Sequence, residues 1–299
     1  MILDKGTIVA NRYKVHLAIG SGSFGSVYRV HDLTNKDWKA TKVVKKMEAI
    51  NESYIGERRM LEELRGVRGV PVLHDFYENG PYEYLILDLY IGDLETLRLK
   101  PLKPKTVMKV AIEITKILKD IHGKGFLHRD LKSANCMIPF NQRNEKLILI
   151  DYNVGIKFGV PKNPRTQSLR RLPIPTRDFA FHKCIYSALR AGEGTGCQET
   201  EDLEQLIYLL METRDIFPFS GTAEEFAQQK KDFKQEPASF FTQANVFLYP
   251  VIDVILKQEF GVRPDYKKIL KVMRQNGYLI HENAPFEVKT SATGKPYIE

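Results

Sequence analysis

Over its first ninety residues the chain carries short apolar runs rich in β-branched and aromatic side chains. Runs at 13–20, 26–30 and 38–44 predict strands, and 72–77 and 84–89 predict two more. Between them, 52–64 is polar on one side and carries Met60, Leu61 and Leu64 on the other, which predicts one helix closed by Gly66. Past Gly92 the period changes. Val107, Val110, Ala111, Ile114, Ile117, Leu118 and Ile121 recur every three or four residues as one long helical stripe, stopped by Gly123 and Gly125. Residues 147–150 read as a short apolar strand. Leu203, Leu206, Ile207 and Leu210 mark a buried helix, and 245–256 and 266–273 predict further helices. The expectation is an α+β chain: a small antiparallel β-rich lobe at 1–87, a connection at 88–92, a larger mainly helical lobe at 93–280, and a polar tail at 281–299. A cleft between two such lobes is a common place for a small ligand.

Composition adds limits. At 299 residues, 43% hydrophobic and 27% charged, the chain is of ordinary globular make-up. No apolar run approaches the roughly 18 residues needed to cross a bilayer, so no membrane partner is expected. Met1-Ile2-Leu3-Asp4-Lys5 lacks the layout of a secretory signal. Cys136, Cys184 and Cys197 are odd in number and show no metal-ligand spacing, which fits a reducing intracellular compartment, cytoplasmic or nuclear. The net charge of +8 attracts polyanions in general. No nucleic-acid recognition motif accompanies it, so nucleic acid is the partner class with least support.

Four motifs carry chemistry. Gly20-Ser21-Gly22-Ser23-Phe24-Gly25-Ser26-Val27 lies between two predicted strands, where glycines let backbone N–H groups approach phosphate oxygens. Alone it is as often a flexible turn. Neither the dinucleotide fingerprint nor a Walker loop fits, because a strand follows and no Gly-Lys-Ser/Thr closes it. Lys42 in Ala40-Thr41-Lys42 sits on the third strand, with Glu57 on the next helix as its candidate carboxylate partner. His128-Arg129-Asp130-Leu131-Lys132-Ser133-Ala134-Asn135 is the longest match, and its length makes a chance polar loop a poor explanation. Asp151-Tyr152-Asn153 follows the apolar run 147–150. The order fits phosphoryl transfer, which needs positioning and positive charge around a spread-out negative transition state.

In these four motifs the chain resembles the eukaryotic protein kinases, and among them the casein kinase I superfamily with its vaccinia-related and tau-tubulin members. Further likeness lies in Gly66-Val67-Arg68-Gly69-Val70-Pro71 after Glu57, in Asp202-Leu203-Glu204 with Leu206 and Tyr208, and in Arg263-Pro264-Asp265-Tyr266. The resemblance covers about residues 11–280. It implies the bilobal protein-kinase fold and a protein serine/threonine kinase that uses ATP and Mg2+ on protein substrates, with acidic ones left open, acting as a monomer. It implies catalytic roles for Asp130, Lys132, Lys42 and Glu57, and metal ligation by Asn135 and Asp151. Ile19, Gly20, Ser21, Gly22, Ser23, Phe24, Gly25, Val27, Ala40, Lys42, Leu87, Asp88, Tyr90, Met137 and Ile150 would hold the nucleotide. Among these, Leu87 would be the gatekeeper, with Asp88, Leu89 and Tyr90 the hinge; core packing explains the apolar ones equally well. Asp202 would hold the catalytic loop through backbone N–H groups.

The chain also departs from the family. The usual Asp-Phe-Gly triplet is Asp151-Tyr152-Asn153. Tyr152 needs a partner for its hydroxyl if buried, and Asn153 replaces a glycine with one of the few residues that tolerate a positive φ. No Ala-Pro-Glu is present. Phe181-His182-Lys183 and Ile185 replace the family's lead-in and anion-pocket arginine, and Arg214-Asp215-Ile216-Phe217 precedes Pro218-Phe219. Recognition of substrates already phosphorylated is therefore not carried over. Arg165, Arg170, Arg171 and Arg177 offer either a surface for acidic substrates or a solvated loop. Three functional readings stay open at this point: an active kinase; a catalytically weak pseudokinase that binds nucleotide as a scaffold or regulator; and, ranked last, a basic adaptor that binds nucleic acid or other polyanions through the +8 charge.

Overall fold

The computed structural model describes residues 3–22, 25–46, 53, 55–162, 169–172, 186–192, 198–214, 217 and 219–299. The first lobe is a six-stranded antiparallel sheet in the order β1-β2-β3-β4-β6-β5. Its strands are β1 (Ile8–Val9), β2 (Tyr13–Gly22), β3 (Gly25–Asp32), β4 (Trp38–Lys45), β5 (Leu73–Asn79) and β6 (Tyr82–Asp88). Side chains alternate across a strand, and here the alternation separates two jobs. Tyr13, Val15, Tyr28, Val30, Val43, Tyr84 and Ile86 pack into one apolar layer. The register then puts Val27 beside Lys42, and Ala40 beside Leu87, on the opposite face. Helix α1 (Gly56–Glu63) buries Met60, Leu61 and Glu57. It is shorter at its start than the predicted 52–64, since Ile55 already lies outside it.

The second lobe opens with β7 (Tyr90–Asp93) and α2 (Leu94–Leu97), whose first turn is capped by Asp93 accepting from Thr96 N–H at 2.7 Å. Helix α3 (Pro104–Gly123) starts at a proline, which fits a first helical position. It packs on α5 (Glu199–Glu212) and α8 (Tyr266–Arg274), with α7 (Tyr249–Leu256) against α5 and α8. Leu118, Ile121, Leu206, Leu210, Ile252 and Ile269 belong to one continuous core. After α3, Gly125 has φ +88°, and a Cβ there would sit 2.0 Å from the Gly159 carbonyl oxygen. That close approach seats β8 (Phe126–Leu127) beside β11 (Ile156–Lys157). A small sheet of β10 (Ile148–Leu149), β9 (Cys136–Pro139) and β7 lies nearby, and β12 (Gly159–Pro161) pairs with β13 (Leu169–Arg171). The short helix α4 (Leu189–Gly192) and α6 (Ala223–Gln235), the latter with a Thr222/Glu225 capping box, complete the helices.

The polar tail packs on the second lobe. Phe286 and Ile298 are buried, Gln142 bonds both the N–H and the C=O of Phe286, and Ile298 N–H donates to Leu97 O at 2.9 Å. The strands β14 (Lys289–Thr290) and β15 (Pro296–Tyr297) pair within it. Among the described residues no helix is long and apolar enough to cross a membrane.

Candidate active site

Residues 128–135 run between β8 and β9, and α5 holds them. Asp202, in its first turn, accepts His128 N–H on one oxygen and Arg129 N–H on the other, both at 2.8 Å. His122, near the end of α3, reaches the same carboxylate at 2.8 Å with Nε2 and meets the Tyr266 hydroxyl with Nδ1. One turn along α5, Gln205 accepts from Leu131 N–H at 3.2 Å and donates to Arg129 O at 2.9 Å. Glu212 accepts from the Ser133 hydroxyl at 2.7 Å. Arg129 has φ +71°, a conformation that persists only where surrounding contacts enforce it. Burial pushes the pKa of His128 down and keeps its ring neutral. Its Nε2–H donates to Ile150 O at 2.9 Å and its Nδ1 accepts Asp130 N–H at 3.2 Å, which fixes one tautomer.

This frame presents Asp130 to the cleft. Its Oδ2 receives Lys132 Nζ at 2.8 Å and Asn135 Nδ2 at 2.9 Å. From the other lobe, Lys42 Nζ lies 2.8 and 2.7 Å from the two oxygens of Glu57 and 3.0 Å from Asp151 Oδ1. Burial works against the Lys42 charge, but the two carboxylates outweigh it and raise its pKa. Burial likewise opposes ionisation of Asp151, and Lys42 with the Asn153 amide outweighs it, so this pKa falls. Glu57 also accepts Tyr152 N–H at 3.2 Å and so links α1 to the metal-candidate turn. Lys42 of the first lobe thus meets Asp151 of the second, and within the second lobe Asn135 meets Asp130.

Residues 13–170 match the protein kinase domain family. The chain belongs to that family. A similar protein is a putative casein kinase I of Caenorhabditis elegans, 28% identical over 169 residues, which is 54% of this chain and 48% of that protein. The chain thus spans about half the length of that curated relative.

Within this kinase, Val27, Ala40, Lys42 and Leu87 share one sheet face, as their register requires. Met137 and Ile150 stay partly exposed while their neighbours Cys136, Ile138 and Leu149 are fully buried. That pattern separates them from ordinary core residues. Asp88 is tied to His74 at 2.6 Å and to Lys39 at 3.4 Å, and Leu89 and Tyr90 are half-buried beside it. Ile19, Gly20, Ser21 and Gly22 are exposed on β2, and Gly25 begins β3. Ser23 and Phe24 lie outside the described residues.

The residues present suit a magnesium ion. Asp151 Oδ2 and Asn135 Oδ1 accept no hydrogen bond among the described residues, and a hard cation prefers such oxygens. No group of three His, Cys, Asp or Glu side chains able to hold a metal exists among the described residues. Concavity alone would lead elsewhere: a cavity of about 270 Å³ lies between α3 and the tail. Its Lys103 and Lys289 already share Glu299, and its Lys109 is bound to backbone carbonyls of 284 and 285.

Two expectations about the Asp151 triplet need correction. The positive φ falls on Asp151, at +69°, and not on Asn153. Asn153 acts through its side chain, donating Nδ2 to Asp151 Oδ1 at 2.6 Å. Tyr152 is fully buried, edge-on to His128 at 4.7 Å, yet its hydroxyl finds no partner among the described residues. The basic stretch is divided as well. Arg171 pairs with Glu199 at 3.0 Å and lies over the Phe158 ring, while Arg170 is exposed. Arg165, Arg177, 181–183 and Ile185 lie outside the described residues. Sequence reasoning missed His122, Gln205 and Glu212 as supports of the catalytic loop. Their only signal was a polar side chain on or beside an apolar helical stripe.

Proposed function

We propose that this kinase transfers the γ-phosphate of ATP to serine or threonine hydroxyls of protein substrates. The observation that carries the reading is the contact of Lys42 with both Glu57 and Asp151. Asp130 accepts the hydrogen bond of the incoming hydroxyl and aims its oxygen, and takes the proton as the new O–P bond forms and the bond from the γ-phosphorus to the departing ADP breaks. Lys132, already paired with Asp130, turns its ammonium charge toward the transferred group. Lys42 steadies the phosphates, and Glu57 keeps Lys42 in place. Asn135 and Asp151 would hold magnesium, which would supply positive charge to offset that of the phosphates. Val27, Ala40, Leu87, Met137 and Ile150 supply the apolar walls for the base, with 88–92 as the hinge. Likeness to a casein kinase I supports serine and threonine as acceptors.

The test is transfer of labelled phosphate from ATP to casein or to the chain itself, with Asp130→Asn beside it. The expected result is a loss of about 10²-fold or more in the variant. Equal signal from both proteins overturns the proposal.

A further inference from the structure

We infer that Asn153 is a positioning residue that holds Asp151 ready for its metal ion whether or not the lobes are closed. The inference rests on the reading of Asp151 as a metal ligand. Asp151 has φ +69°, a backbone state that a non-glycine residue keeps only when its surroundings enforce it. Two donors converge on its Oδ1: Lys42 at 3.0 Å and Asn153 at 2.6 Å. One carboxylate oxygen accepts about two hydrogen bonds. Oδ1 is therefore filled, and Oδ2 accepts no hydrogen bond among the described residues on a side chain that is 21% exposed.

The two anchors differ in kind. Lys42 stands on β4 in the other lobe, so its grip on Asp151 depends on how the lobes sit. Asn153 belongs to the same turn as Asp151, and that turn is pinned locally. Arg129 Nη1 donates to Val154 O at 3.1 Å, Gly155 N–H donates to Tyr152 O at 3.1 Å, and Asn153 is only 5% exposed. A glycine at this position offers no side-chain donor. The residue that looks like a lost glycine thus supplies a bond that the usual triplet lacks. It also weakens the scaffold-only reading, because the departure strengthens the metal carboxylate's placement.

The test is Mn2+ binding, followed by electron paramagnetic resonance with a non-hydrolysable ATP analogue, in the full chain and in Asn153→Gly and Asn153→Ala. Glycine is what the family's own triplet carries, so the backbone accepts that variant. Alanine keeps an ordinary backbone preference and removes only the donor. Both variants are expected to bind Mn2+ about tenfold more weakly, with binding of the metal-free analogue unchanged. Weakening in the glycine variant alone assigns the effect to backbone freedom and overturns the inference. Binding unchanged in both also overturns it while leaving the kinase reading intact. A wild-type chain that binds no Mn2+ with the analogue removes the metal role of Asp151 itself, and the reading above with it.

Discussion

Around residues 128–135, each stretch of backbone is tied to α5. Asp202 takes two N–H groups, Gln205 takes one and gives one, and Glu212 holds Ser133. Around residues 17–22 the opposite holds. Beyond Val15 the strand has β3 on one side only, and 17–22 are all exposed. The first region presents side chains whose atoms must be placed to a fraction of an ångström for proton and charge chemistry. The second presents backbone N–H groups, which need close approach and little else. Buried polar bonds from α5 hold 128–135, whereas 17–22 are held by pairing with β3 alone.

The largest effect tests the supported region. Asp202→Ala orphans two backbone donors and His122, and is expected to lower unfolding free energy by about 3–5 kcal/mol and to abolish measurable transfer. Urea denaturation with a transfer assay checks both. If transfer survives, α5 is not what holds the loop. Within the cradle, Gly25 and Gly22 should separate. A Cβ at Gly25 would meet Val43 O at 2.1 Å, whereas at Gly22 nothing lies within 4 Å. Gly25→Ala is expected to cost about 2 kcal/mol of stability. Gly22→Ala should leave stability within about 0.5 kcal/mol and raise the KM for ATP several-fold. Equal stability losses would mean that the second glycine is needed by the fold and not by phosphate.

A smaller effect follows from His128. Its folded pKa is depressed by burial, so below the ordinary histidine value of about 6.5 the unfolded chain binds a proton that the folded chain does not. Stability from this group is complete above that pH and declines as pH falls toward the folded value, at up to about 1.4 kcal/mol per unit. Urea midpoints between pH 7.5 and 5.5 should show the slope, and His128→Gln should flatten it. Smallest is Tyr152→Phe. Removing a buried hydroxyl without a partner should raise stability by about 1 kcal/mol and leave transfer unchanged. A loss of stability would show that water satisfies that hydroxyl.

The candidate residues could be named from the sequence because phosphoryl transfer, the reaction proposed, demands particular residue types at short sequence spacing. Lys42, Glu57, Asp130, Asn135 and Asp151 could be named before any coordinates. Strands β2 to β6 of the first lobe and the helices α3, α5, α7 and α8 were also readable from their periods, with α1 the main boundary error, whereas α6 was not predicted. The supporting layer was not legible. His122, Gln205 and Glu212 act across about 70 to 145 residues of chain, and nothing local distinguishes them from the helices they stand on. Asn153 was misread for a related reason. Backbone propensity suggested what an asparagine tolerates, while its effect comes from what its amide can reach.

The Gln142 amide meets both backbone groups of Phe286 as a neighbouring strand would. The family match ends at residue 170, yet the last nineteen residues close the floor beneath Leu97 and α3. A recombinant fragment trimmed at residue 280 would strip that floor away. It would leave greasy patches where Phe286 and Ile298 now sit, and a protein prone to clump for reasons unrelated to its catalytic groups.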